Sequence, residues 1–310
     1  MVNVAIAGGT GGVGQTIVEV MEVSPHQSFI LSRQSSSSPE KTIKVDYSNI
    51  DDLAQLLEQH NIHTVISAFA IEGDSLAMAQ RNLIQAAAKS KTTKRFIPSG
   101  YAIVYPPAAV EVLPQLKDHF LALDQLRESS LEWTIFYNSI FLDYFSTPAM
   151  KTNLKPNVFV IDIANKIAVI PGDGNTPVTF TYTYDLARFI VAALDLEKWE
   201  EESRVVGDEL TWNQFVALAE ESRGAKFDVC YDDVEKLKRF EITELPGHQA
   251  LYDYFPKKAF QWFISIFELF TTDGSSHIQR AGCLNDRFPH IKALTVKEML
   301  DLYWGRGETN

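Results

Sequence analysis

Two periods of apolar residues alternate along the first 140 positions. Short apolar, β-branched runs, the mark of strands buried on both faces, stand at 2–7 (VNVAIA), 28–31 (SFIL), 42–45 (TIKV), 64–67 (TVIS), 95–97 (RFI) and 133–136 (WTIF). Between them, apolar residues three and four apart predict amphipathic helices. These start behind Gly14 (Ile17, Val18, Val20, Met21) and run over 51–60, about 74–90 (Leu76, Ala79, Leu83, Ile84, Ala87) and about 115–128. Asp51 and Asp52 suit the positive end of their helix. Strand–helix alternation of this kind predicts an α/β chain with a parallel, doubly wound sheet, whose ligands lie at the carboxyl ends of the strands. The loops at 8–14, 32–33, 67–70, 98–101 and 137–141 should then converge on one crevice.

The second half reads differently. Gly172-Asp173-Gly174-Asn175 and Pro177 mark a turn; Thr183 is the expected cap of a helix over 186–194, with Asp185 a structural cap or interdomain anchor. Thr211 caps a helix that runs to Arg223. The segment 252–270 holds eight aromatics, among them Tyr254, Phe260, Trp262, Phe267 and Phe270. From Ala259 it is apolar nearly all round, which predicts a core helix or an aromatic wall for a flat hydrophobic ligand. With no repeat or linker in sight, the expected division is 1–150 and 151–310, part of 180–196 packing back on the first unit.

Charge narrows the partners. The 310 residues carry 28 Lys and Arg against 40 Asp and Glu, a net charge of -12. Such an acidic chain is a poor match for nucleic acid or an anionic membrane. Residues 1–155 hold 12 basic and 15 acidic side chains, so this more neutral half is where an anionic ligand is expected. Two cysteines, Cys230 and Cys283, point to a reducing compartment, and the absence of a basic leader or a long apolar run points to a cytoplasmic protein. No His–carboxylate cluster suggests a metal, His119 included. The sequence leaves open whether the protein is a monomer or a homodimer.

The chemistry begins at Gly8. The loop GGTGGVG, from Gly8 through Thr10, Gly11, Gly12 and Val13 to Gly14, follows the first strand and opens a helix. Gly8 permits a tight turn, Gly11 a close approach to a pyrophosphate, and Gly14 close packing of helix on strand. Amides at the helix N-terminus then face the phosphates. After the second strand, where an NAD site places a carboxylate, stand Ser32 and Arg33. A guanidinium pairs with a 2′-phosphate, so NADP(H) is the expected cofactor. The serines at 35–38 form a loop whose hydroxyls could assist. Asp46 and Tyr47 end the third strand beside the adenine, and Ala68 and Phe69 end the fourth. Ser99 and Tyr101 end the fifth, and Asn138 and Phe141 follow the sixth, where they can flank the nicotinamide.

Together GGTGGVG, Arg33, VDYS at 45–48, KRFIPSG at 94–100, Lys117, WTIFYNSIFLDYF at 133–145 and IPGDGNTPVTFTYTYDLARF at 170–189 resemble the NmrA-like and isoflavone-reductase-like atypical short-chain dehydrogenases, closest to their fungal branch. The resemblance covers nearly the whole chain. It implies an NADP-binding Rossmann domain and a smaller C-terminal α/β substrate domain. It also implies NADPH-dependent reduction of a small aromatic or conjugated, hydrophobic substrate, with Lys117 as general acid/base and as part of the cofactor site, and Tyr101 beside it. Other members bind dinucleotide and regulate without turnover, and a Rossmann protein recruited to isomerisation or cyclisation is a third reading. Pro98-Ser99-Gly100-Tyr101-Ala102 departs from the Pro-Ser-Glu-Phe-Gly of the plant reductases, and Tyr254…Lys258 is no ordinary Tyr-x-x-x-Lys pair, because Pro256 interrupts it.

Overall fold

The computed structural model describes residues 1–34, 41–70 and 75–305. The serines at 35–38 lie outside the described residues, as do 71–74 at the expected start of the third helix. Six parallel strands form the main sheet: β1 (Asn3–Ala7), β2 (Gln27–Ser32), β3 (Thr42–Lys44), β4 (Thr64–Ser67), β5 (Arg95–Ile97) and β6 (Glu132–Trp133), in the order β3-β2-β1-β4-β5-β6. Strand alternation is visible in which core each residue enters. Ala5, Ala7, Val65 and Phe96 face one layer of helices, α2 (Ile50–Gln59), α3 (Arg81–Lys89) and α4 (Leu116–Arg127). Val4, Ile6, Ile66 and Ile97 face the other layer, which includes α1 (Gly12–Met21). Both faces are covered, as the unbroken apolar strands require.

Three expectations are corrected by the packing. The run 133–136 is two strands: β6 pairs with β5, and past Thr134 the chain continues as β7 (Ile135–Tyr137). The helix expected over 74–90 opens as a π-helical turn, Ser75–Gln80, before α3. Thr183 is not the cap of its helix but its first residue; the cap is Tyr182, while the Thr183 amide and hydroxyl both donate to buried Asp143.

After β8 (Ile140–Phe141), β9 (Ile161–Asp162), β10 (Ile167–Pro171) and β11 (Pro177–Thr181), the chain returns to the first unit. Helix α5 (Thr183–Ala193) packs against α1, and β12 (Glu202–Arg204) pairs in parallel with β7. Residues 183–193 thus pack back on the first unit, and the returning segment runs on through β12, past the expected 196. Arg95 fastens it: its guanidinium donates to the carbonyls of Leu194 and Glu197 and lies 4.7 Å from the centre of the Trp199 ring. Asp185 acts as an anchor, accepting from the Leu294 amide and from Arg188.

The smaller unit adds β13 (Asp208–Thr211), α6 (Trp212–Arg223), β14 (Asp228–Asp232), α7 (Val234–Lys238), α8 (Lys257–Thr272), α9 (Leu284–Arg287) and α10 (Val296–Trp304). Its sheets run β14-β10-β9 and β13-β11-β8. Its core centres on Phe145, Phe180, Trp212 and Phe215, whose ring centroids lie 4.9–6.1 Å apart. Thr211 caps α6 in a capping box with Gln214, as expected. Helix α8 is a core helix on one side, through Phe260 and Ile264. On another side Trp262, Ile266, Phe267 and Phe270 pack on the segment from Ile103 to Leu116 that leads into α4.

Candidate cofactor and reaction site

The glycine loop is shaped by what a side chain would hit. A Cβ on Gly14 would fall 2.2 Å from the Gly8 carbonyl oxygen, and one on Gly8, whose φ is +78°, 2.5 Å from the Ala68 carbonyl oxygen. The Gly11 amide closes the turn on the Gly8 carbonyl at 2.9 Å. Helix α1 then starts with Gly11 as its cap, with no side-chain cap bond and no acidic residue in its first turn. Its leading amides are left for an external acceptor, the arrangement that binds a phosphate. Val13 is half-buried behind them, and Gly12 lies under Leu154, whose Cδ2 would be 2.8 Å from an added Cβ.

Beside this loop opens a crevice of about 770 Å³ lined by Gly8, Thr10, Ser32, Arg33, Asp46, Tyr47 and Phe69, seven residues that the sequence singles out. Leu31, Gln34, Ser48, Met78 and Ala79 also line it and do not stand among the candidate site residues of the sequence. Arg33 is exposed at the crevice. Asp46 is exposed too, and hydrogen bonds from the Ser48 hydroxyl and amide hold its carboxyl below the usual range. Tyr47 donates to the Leu31 carbonyl and meets the Phe69 ring edge-on at 5.2 Å; burial pushes its phenol upward despite Arg33 nearby.

The other candidates stand after β4, β5 and β7 and, Phe69 apart, are not among the residues that line this crevice. The Ser99 hydroxyl donates to the Phe69 carbonyl, and the Tyr101 hydroxyl to the Ser67 carbonyl at 3.0 Å. Tyr101 is 7% exposed, and burial raises its pKa. It thereby ties the segment after β5 to the end of β4. Ala102 stitches β5 to β7, its carbonyl accepting from the Asn138 and Ser139 amides. Asn138 is fully buried, and among the described residues its Oδ1 and the likewise buried Ser67 hydroxyl have no hydrogen-bond partner. Two orphaned polar atoms at strand ends, an uncapped helix and a glycine cradle fit a dinucleotide that spans the sheet. Phe141 is nearly buried, its ring edge-on to Tyr144 at 6.1 Å.

Helix α4 starts next to these ends. Lys117 stands exposed in its first turn, and among the described residues its ammonium has no hydrogen-bond or ion-pair partner. His119, two residues on, turns inward and is 4% exposed; burial draws its pKa down to about 4, offset in part by a hydrogen bond to the Ser99 backbone. Among the described residues no group of His, Cys, Asp and Glu is placed to hold a metal ion, and no helix is long and apolar enough to cross a membrane.

Comparison with known proteins matches this architecture. The oxidoreductase BOA1 of Botryotinia fuckeliana is 35% identical over 300 residues, covering 94% of this chain and 96% of that one. Among solved structures, the binary complex of leucoanthocyanidin reductase with NADPH from Vitis vinifera superposes with a TM-score of 0.72 at 18% identity, over 97% of this chain and 98% of that one. AtPrR2 with NADP+ and (+)pinoresinol gives a TM-score of 0.73 at 18% identity, over 97% and 98%. The model of the NmrA-like family matches residues 2–286. By sequence, sheet order and site, this chain belongs to the NmrA-like family.

Proposed function

We propose that this protein is an NADPH-dependent reductase of a small aromatic or conjugated molecule. The observation that carries the reading is the uncapped α1 N-terminus opening on the same crevice as Arg33. It is supported by a relative named an oxidoreductase and by neighbours of the same fold holding NADPH, or NADP+ with (+)pinoresinol. The α1 amides take the pyrophosphate, Ser32 and Arg33 the 2′-phosphate, and Tyr47 and Phe69 wall the adenosine side. When bound, the dihydronicotinamide supplies a hydride to an electron-poor carbon. The negative charge this leaves on the substrate must be met by a proton donor. Lys117 fills that role, being cationic, without a partner among the described residues, and mounted on the helix beside the β5 end.

The test is NADPH oxidation with an enone and aromatic-ketone panel. Lys117→Ala should bind NADPH nearly as well as the unaltered protein, while turnover falls by the roughly 10²–10⁴-fold of a lost general acid. Turnover as fast as before would remove Lys117 from the chemistry. Tight NADPH binding with no oxidation across the panel would favour a redox-sensing regulator instead.

A further inference from the structure

Helix α1 starts on residues that hold a helix poorly. Its first and third residues are Gly12 and Gly14, behind a glycine cap, and glycine is the weakest helix former after proline. No side chain caps this turn and no acidic residue stands in it. A side-chain cap would steady the turn only by taking an amide that the pyrophosphate uses. Whatever steadies it must therefore come from a side that leaves the amides free.

The segment 151–154, which leads away toward β9, comes from such a side. The two neighbouring loop glycines differ in what stands beside them. Apart from its chain neighbours, a Cβ on Gly11 would meet only the Gly8 carbonyl oxygen among the described residues, at 3.4 Å. One on Gly12 would fall 2.8 Å from Leu154 Cδ2 and 3.0 Å from the Asn153 carbonyl oxygen. The segment thus lies as a strap on the first residue of α1. Asn153 also reaches Gly12 by a second route: its Nδ2 donates to Thr16 Oγ1 at 3.2 Å, and that hydroxyl donates to the Gly12 carbonyl at 3.0 Å. Neither hold uses an N–H of the first turn.

Glu19 keeps the strap down. It stands in the last turn of α1, where the helix dipole disfavours a carboxylate. Three donors converge on it: Asn153 Nδ2 at 3.0 Å, the Tyr184 hydroxyl at 2.6 Å and the Lys151 ammonium at 2.8 Å. They hold its pKa down at about 2. Tyr184 belongs to α5, so strap, α1 and α5 meet on one carboxylate. Leu154 packs on the apolar cluster behind α1 and would seat the strap by itself. A carboxylate at the wrong end of the helix is not accounted for by that packing; the Asn153 amide that it orients accounts for it.

We infer that Asn153 and Glu19 are positioning residues for the dinucleotide. They seat the strap on Gly12 and so fix the leading amides of α1 where the pyrophosphate meets them. The inference rests on the NADPH reading above.

The experiment uses the full chain with Asn153→Ala, Glu19→Ala and Glu19→Gln. Two ligands are titrated: NADPH, and adenosine 2′-monophosphate, which carries the groups for Arg33 and Tyr47 but no pyrophosphate. Asn153→Ala and Glu19→Ala should weaken NADPH binding up to roughly tenfold, the effect of one hydrogen bond, and leave adenosine 2′-monophosphate nearly unchanged. Glu19→Gln keeps an oxygen for the Asn153 amide and loses chiefly the pair with exposed Lys151, so it should recover most of the NADPH affinity. Equal weakening of both ligands, which a general loosening of the fold produces, would overturn the positioning role. Unchanged NADPH affinity in both alanine variants would overturn it as well. Glu19→Gln as weak as Glu19→Ala would remove Glu19 from it. Should the unaltered protein bind NADPH no better than adenosine 2′-monophosphate, the pyrophosphate is not held by α1, and the cofactor reading itself fails. Should Glu19→Ala not fold, Asn153→Ala, at a half-buried position, decides alone.

Discussion

Replacing Arg33 by alanine separates the two nicotinamide cofactors most directly. The guanidinium is exposed at the crevice wall, and the structure gives it no carboxylate partner among the described residues. A charge-assisted hydrogen bond to a 2′-phosphate contributes about 1.5–3 kcal/mol. Solvent exposure puts Arg33 at the low end, so NADPH affinity should fall roughly 10- to 30-fold. NADH carries a hydroxyl at that place and should bind Arg33→Ala as it binds the unaltered protein. A second charge sharpens the test. Asp46 lines the same crevice, and its bonds from Ser48 keep it ionised. Once Arg33 is gone it opposes the phosphate unchecked, so adding Asp46→Asn should restore part of NADPH binding and none of NADH binding. Fluorescence titration of both cofactors against the single and double variants reads all of this. Equal affinity of the unaltered protein for NADH and NADPH, or equal loss of both in Arg33→Ala, would refute the assignment.

Two other measurements bear on the smaller unit. Glu268 is buried in α8, its Oε2 has no partner among the described residues, and burial raises its pKa well above the ordinary value. Its folded form therefore keeps a proton that the unfolded chain loses, so stability should decline as pH rises from about 4.5 toward the raised folded pKa, and Glu268→Gln should flatten that decline in urea melts at pH 5 and 8; parallel curves for the two proteins would exclude it. Helix α8 and the turn before it should also gain amide protection across 246–270 when NADPH and a substrate analogue are added, because Trp262 and Phe267 pack on the segment leading to α4. Identical exchange with and without ligand would leave α8 a core helix only.

What the sequence discloses follows the range of its signals. Strand and helix periods are local, and the glycines after β1 act on their immediate neighbours, so the sheet, the loop and the crevice residues from Gly8 to Phe69 are legible. The side on which a long-range partner arrives is not. Nothing around Thr134 announces that β7 will pair with a strand at 202–204, and nothing around Asn153 announces a site on α1. There, Asn153 Nδ2 donates to Thr16 and Glu19, and Lys151 pairs with Glu19 at 2.8 Å. Helical spacing places His119 and Lys117 on one element, yet only packing shows that one faces inward and the other solvent. Tyr101 reads as a hydroxyl at a strand end, and only packing shows that it is buried and donates to the Ser67 carbonyl.

The returning segment has a consequence for synthesis. Until α5 and β12 emerge, the side of α1 that packs on α5 and the edge of β7 that pairs with β12 have no cover. The nascent first half must therefore wait for about 50 further residues, a few seconds at about 5–20 residues per second. Through that interval an unpaired strand edge and an apolar helix face stand together, a combination prone to association between chains. A fragment ending near 150 would hold that state permanently. A truncation that keeps the nucleotide-binding unit whole must retain 183–206, because the smaller unit is built from 142–180 on one side of that segment and from 208 onward on the other.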